Sequence, residues 1–466
     1  AAPGALTLDE ALGAPGAGRA TPEGAVAVYR GTVVHSLGMG ELEVLPRGAV
    51  GVDASGAVAF CEPEQAYEQR LSRGASSSLL ERDVGDRLIL PGLVDTHAHA
   101  PQYAFAGTAM DLQLLEWLER YTFPVEARCE DLAVAEHVFD RAVEAKLRNG
   151  TTTCSYFSTI HLGAAKVLAR TCRDKGMRAL VGKVNMDRNA PGFYVETTAD
   201  SVRDTVAFVE ACVSEGGGLV TPTVTPRFVP TCTMELMSEL GRLAQRDGLP
   251  VQSHLGENLG EIAWVRELHP ECETYAEVYD RAGLLGDKTV MAHCIYLEDS
   301  EVRLLRETGT GVAHCANSNF TLCSGVCGAR GLLEAGVKVG LGTDVAGGDS
   351  PSMLNAARMA SVAASVRPLV AEVDSHQAPF SFAELLHLAT QGGAEAIGMG
   401  SEVGNFLPGK RFDAIVVDAH AEEGPVDVFL GLYDEAGSPL DLLERFMFNG
   451  DDRNVAAVIV DGERVR

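Results

Sequence analysis

The sequence predicts an α/β chain: a (β/α)8 barrel, with a small β-sandwich domain assembled from both chain ends. Three observations carry that prediction. Between residues 88 and 400, short apolar, β-rich runs alternate with helical patterns. On either side, at 25–87 and 401–466, the pattern changes to alternating apolar and polar residues broken by Gly-rich turns. Several central runs also end on histidine or aspartate, at the strand ends where a barrel of this kind builds its site.

Taken in order, residues 1–24 are rich in Ala, Gly, Pro and Thr and read as a flexible tail. Val26-Ala27-Val28-Tyr29-Arg30-Gly31-Thr32-Val33-Val34 opens the small β domain. Barrel strands are expected at 88–97, 151–157, 178–186, 218–227, 250–254, 289–293, 311–315 and 337–344. Helices are expected between them. The pattern from Asp131 to Asn149 puts Leu132, Ala135, Val138, Phe139, Ala142, Val143 and Leu147 on one face, with Gly150 as the stop. Phe412-Asp413-Ala414-Ile415-Val416-Val417-Asp418 and Val455-Ala456-Ala457-Val458-Ile459-Val460 then supply the second part of the small domain.

Composition excludes some partners. The chain of 466 residues is 46% hydrophobic and 22% charged, as in ordinary globular proteins. No stretch of about 18 uncharged apolar residues suggests a membrane span. The formal net charge of -27 repels phosphate backbones, so nucleic acid is not an expected partner. The first residues lack the basic start and apolar core of a secretory signal. The eleven scattered cysteines read as reduced thiols of a cytoplasmic protein. Cys323 and Cys327 have no second pair at zinc-finger spacing.

The chemistry concentrates in a few motifs. In Leu93-Val94-Asp95-Thr96-His97-Ala98-His99, the two histidines share one face of an extended strand, and imidazole suits a transition metal. His254, His293 and Asp344 close later runs, on barrel strands five, six and eight. Taken singly, each histidine is more often a satisfied core residue than a ligand. Asp344 is followed by Val345-Ala346-Gly347-Gly348 and reads equally as a turn residue. Together, on matching strand ends, they read as a metal site of imidazoles and a carboxylate that keeps a position open for water. Glu257, three residues after His254, is placed to carry a proton, although a first-turn helix acid is the plainer reading. Asp344 has two open roles, ligand or base for the water, or both at different moments. His314 also ends a strand and reads as structural; His35, His137, His161, His269, His376, His387 and His420 lack this context. His269-Pro270-Glu271 begins the other zinc-deaminase signature, but no Pro-Cys dipeptide completes it.

These stretches resemble the amidohydrolase superfamily and, more narrowly, its guanine deaminases of animal and fungal type. The resemblance runs from about residue 27 to 466. It is carried by Pro91-Gly92-Leu93-Val94-Asp95-Thr96-His97-Ala98-His99, Gln102-Tyr103-Ala104-Phe105-Ala106-Gly107, Leu114-Leu115-Glu116-Trp117-Leu118 and Tyr121-Thr122-Phe123-Pro124. Val224-Thr225-Pro226-Arg227-Phe228, Ala313-His314-Cys315, Gly340-Leu341-Gly342-Thr343-Asp344 and Gly450-Asp451-Asp452-Arg453-Asn454 continue it. It implies one zinc per subunit on His97, His99, His254 and Asp344, with His293 beside the activated water and Glu257 shuttling the proton. It implies guanine held by Gln102, Arg227 and Phe228, with His254 also at the substrate, and hydrolysis at C2 to xanthine and ammonia. It further implies a homodimer. No lysine occurs in Val220–Val229 to bridge two metals, which agrees with a one-metal subtype. Pro101, Gly256 and Ala316 depart from the family pattern, and none is a ligand. Two alternatives stay open: a hydrolase of a related aminated purine or triazine ring, and a noncatalytic scaffold barrel.

Overall fold

The computed structural model describes Leu12 and residues 24–72, 80–215, 218–370 and 378–466. The rest of the expected 1–24 tail and His376 lie outside the described residues.

The eight barrel strands begin at Leu93–His99, Thr151–Phe157, Arg178–Gly182 and Val220–Pro222, then Val251–Leu255, Thr289–His293, Gly311–His314 and Lys338–Leu341. Each set of four pairs in parallel in chain order. Two joins close the ring. Between strands four and five, the Val224 N–H donates to the Pro250 carbonyl at 2.9 Å and the Gln252 N–H to the Val224 carbonyl at 3.0 Å. Between strands eight and one, the Asp344 N–H donates to the His97 carbonyl at 2.9 Å and the His99 N–H to the Val345 carbonyl at 3.0 Å. The second join also sets Asp344 beside the two histidines of the first strand.

Some expected strands divide. The 88–97 run is two strands, Leu80–Pro91 in the small domain and Leu93–His99 in the barrel, split at Gly92. A Cβ on Gly92 would come within 2.0 Å of Thr152 Oγ1, so only glycine allows the crossing strands this close. Short extensions, Val184–Asn185 and Thr225–Pro226, continue strands three and four after breaks. The helix Leu132–Arg148 buries Ala135, Phe139, Ala142, Val143 and Leu147 as its pattern predicts, while Leu132 at its first turn is exposed; the Asp131 side chain accepts from the Ala133 N–H, and Gly150 follows at φ +81°.

The chain ends meet in one seven-stranded sheet where a sandwich was expected. Its order is Glu463–Arg464, Val455–Val460, Ala414–Val417, Leu80–Pro91, Ala25–Gly38, Glu41–Asp53, Val58–Pro63. Alternation reports which face is buried, not how many sheets there are. Here one sheet curls: Ala57 bridges to Arg411, and the Phe412 N–H donates to the Gly56 carbonyl at 2.8 Å. The curl encloses Tyr29, Val33, Phe406, Phe412, Ala414, Val416, Ala457 and Ile459, while Ile415, Val417 and Val458 face the barrel core. That is the period of two spent on two separate cores.

A buried ion pair fastens the sheet to the barrel. Arg178, at the start of barrel strand three, donates to Asp413 through Nε at 2.7 Å and a terminal nitrogen at 3.1 Å, and to Asp461 at 3.1 Å. Both Arg178 and Asp413 are almost wholly excluded from solvent. Arg178→Met leaves Asp413 buried and unpaired, and should lower unfolding stability by about 3–5 kcal/mol in chemical denaturation. A loss under about 1 kcal/mol would show that the pair does not fasten the two parts.

No disulfide joins the eleven cysteines. Cys323 is exposed, while Cys327 is buried with its thiol toward the Cys294 carbonyl. No helix among the described residues is long and apolar enough to cross a membrane.

Candidate active site

The first barrel strand delivers two imidazoles through a register irregularity. Val94 packs with Leu180, Val290 and Ala313, and the pairing with strand two shifts between Asp95 and Ala98. Ala98 then joins the core shared with the surrounding helices. His97 and His99 fall on the opposite face from Ala98, at the mouth.

Behind them, Asp95 locks strand one to strand eight. It accepts from the Thr343 N–H at 3.0 Å and the Thr343 hydroxyl at 2.6 Å, and it pairs with the buried Lys146 ammonium. It also accepts from the His97 N–H at 3.2 Å. The backbone of Asp344 follows at φ +47°, and His293 ends strand six at φ +72°. Both sit in the left-handed region, which a non-glycine residue adopts at a cost of order 1 kcal/mol or more and which clusters at functional sites.

At the mouth the donor atoms converge. His97 Nε2 lies 3.1 Å and His99 Nε2 3.5 Å from Asp344 Oδ1. His99 Nε2 and His254 Nε2 are 3.2 Å apart. The ligand atoms of His97, His99 and Asp344 lie within 4.8 Å of one another, as do those of His97, His254 and His293. Second partners fix two of the tautomers. His254 Nδ1 faces the Arg227 carbonyl at 2.6 Å, and His293 Nδ1 faces Asn319 Oδ1 at 2.9 Å. An acceptor at Nδ1 puts a proton there and turns each Nε2 into the site, with a free lone pair on the neutral His254 ring.

Burial lowers His97, His99 and His254 below the usual imidazole range, so all three are neutral at pH 7. Burial also acts on His293, but the Glu257 and Asp344 carboxylates outweigh it and hold that ring above the usual value. Burial pushes up the Asp344 carboxyl, yet His97 and its neighbours hold it well below the usual carboxylate range. Neutral imidazoles converging with an ionised carboxylate form a donor set that suits a divalent cation.

Glu257 follows Gly256, which adopts φ +59° after strand five and turns the chain toward the mouth. Its Oε2 is 3.5 Å from His293 Nε2, and its Oε1 accepts from the Ser324 hydroxyl at 3.3 Å. Burial first, then the Asp344 charge, raise its carboxyl to about 7 against the pull of His293. Such a group both takes and gives a proton near neutrality.

The cleft above is lined by His99, Gln102, Arg227, Phe228, His254, Glu257, His293 and Asp344, with Leu114, Trp117, Leu118 and Leu322 on the apolar side. Of the residues assigned from the sequence to the metal, the proton or the substrate, all border it except His97, which lies deeper. Phe105 packs at a tilt against the Trp117 indole and does not line the cleft. His314 is buried elsewhere, in a separate small cavity with Cys327, Arg330 and Arg367, and burial lowers it to about 4. The sequence reading missed Glu126. It lies on the short helix Phe123–Ala127 and is fully buried beneath Gln102 and Arg227.

A parallel barrel whose C-terminal mouth gathers imidazoles, a carboxylate and a proton carrier is the architecture of a metal-dependent hydrolase. The amidohydrolase family model matches residues 88–465. Guanine deaminase of Dictyostelium discoideum is 41% identical over 456 residues, covering 95% of this chain and 98% of that protein. The guanine deaminase of Mus musculus is 44% identical over 441 residues, covering 94% and 96%. Among solved structures, guanine deaminase from C. acetobutylicum with bound guanine superposes with a TM-score of 0.85 at 33% identity, over 94% of this chain and 100% of that one. The chain belongs to the amidohydrolase family.

Proposed function

We propose that the chain is a zinc-dependent guanine deaminase that hydrolyses guanine to xanthine and ammonia. The observation that supports this most is the pairing of two features at one mouth: a metal-type donor set, and a donor-rich wall of Gln102 and Arg227 over Phe228. In this reading His97, His99, His254 and Asp344 hold the metal. When bound, zinc supplies Lewis acidity and lowers the pKa of water at the site.

The chain's own residues do the rest. Arg227 offers a fork to the O6 and N7 acceptors of guanine, Gln102 reads the ring edge, and Phe228 stacks on its face. Water attacks C2, and Glu257 takes its proton and returns it to the departing amine. His293, paired with Glu257 and Asp344, steadies the attacking water. The apolar side of Leu114, Trp117, Leu118 and Leu322 keeps bulk water off the ring. The reading includes a homodimer, as the resemblance implies, in the cytoplasm, as the scattered cysteines suggest.

Comparing kcat/KM for guanine, adenine and an aminotriazine tests the substrate. Guanine should exceed the others by at least about a hundredfold, since a site built to bond polar groups rejects rings that lack them. A preferred triazine or adenine would overturn the assignment. Arg227→Met should raise the guanine KM at least about tenfold with metal content unchanged. An unchanged KM would remove Arg227 from the substrate.

A further inference from the structure

Glu126 holds the substrate wall together. Its Oε1 accepts from Gln102 Nε2 at 2.9 Å and from Arg227 at 3.1 Å. Its Oε2 accepts from Arg227 at 2.6 Å and from the Tyr194 hydroxyl at 2.7 Å. All four acceptor positions of the carboxylate are thereby filled, and Glu126 itself does not line the cleft.

Two consequences follow from donor and acceptor chemistry. A carboxylate only accepts, so the Gln102 atom facing it is the amide nitrogen. A backbone N–H only donates, so the Gln102 atom 3.3 Å from the Ala346 nitrogen is the amide oxygen. Gln102 is therefore held in one of its two flips. Arg227 gives Glu126 one proton from each terminal nitrogen and keeps the others, and its charge is neutralised by a buried carboxylate.

We propose that Glu126 is the positioning residue that suits this pocket to an uncharged 6-oxo purine. The proposal rests on the deaminase reading above. With Glu126 in place, the Gln102–Arg227 wall offers oriented donors without a net charge. Neutral guanine presents acceptors there, whereas a 6-amino purine presents a donor. The product matters as well. Xanthine is the more acidic purine, and its anion would be retained by an unpaired Arg227.

The test is steady-state kinetics of Glu126→Gln and Glu126→Asp beside the wild type at pH 8, with guanine as substrate and xanthine as inhibitor. For Glu126→Gln, the guanine KM should rise at least about tenfold, more than kcat falls. The ratio of xanthine Ki to guanine KM should fall by at least about tenfold. Glu126→Asp keeps the charge and should restore that ratio. A raised KM with an unchanged ratio would make Glu126 merely structural and overturn the proposal, as would unchanged kinetics. A wild type that releases no ammonia from guanine would instead overturn the deaminase reading. If Glu126→Gln does not fold, Tyr194→Phe removes one bond to the carboxylate and leaves its charge. It should raise the guanine KM about two- to fivefold with the ratio kept, and an unchanged KM overturns the proposal.

Discussion

Glu257→Gln should lower kcat at least about a hundredfold while leaving metal content and guanine affinity close to wild type. The expectation rests on where the carboxyl sits and what its surroundings do to it. It lies at the cleft, 3.5 Å from the His293 imidazole, and burial raises it to about 7. A glutamine amide fills the same space and keeps the contact with Ser324, but it cannot accept a proton from water and hand it on. The change therefore removes transfer chemistry and little else. Metal analysis and single-turnover kinetics on one preparation would separate the steps. Near-wild-type kcat would end the proton-carrier role and move it to Asp344.

His254→Ala should abolish metal binding, and activity should fall with it by at least about two orders of magnitude. His254 stands at the centre of the site. Its Nε2 approaches His99, its Nδ1 bonds the Arg227 carbonyl, and its own carbonyl accepts from the Tyr279 hydroxyl at 2.7 Å. One residue thus couples the donor cluster to the segment carrying Arg227 and Phe228. Elemental analysis after purification in zinc-supplemented medium would read the loss directly. Unchanged zinc stoichiometry would exclude His254 as a ligand.

Much of this arrangement is legible in the sequence, for identifiable reasons. The barrel strands are short apolar runs bounded by turns, and the donors close them, so order along the chain converts directly into position at the mouth. Breaks within apolar runs are less visible. Gly92 separates two sheets inside Ile89-Leu90-Pro91-Gly92-Leu93-Val94 without any change in hydrophobicity. The curl of the terminal sheet depends on long-range bonds such as Phe412 to Gly56, which no local pattern encodes. Glu126 was hidden for a similar reason. In Phe123-Pro124-Val125-Glu126-Ala127 it looks like an acid in a helix's first turn, and its partner Arg227 lies 101 residues away. A signal did exist, because the Tyr121-Thr122-Phe123-Pro124 stretch that resembles the family stops two residues before it. Asp95 is similar: it sits inside the metal motif, yet its work is to bind Thr343 and Lys146 behind the site.

In the proposed function, guanine is hydrolysed with the help of a metal held by these side chains. Ammonia release from guanine, followed before chelation, after chelation and after zinc is restored, tests it most directly. Turnover to xanthine should be abolished by chelation and restored by zinc. Turnover that survives complete metal removal, or zinc-loaded protein that leaves guanine intact, would contradict it.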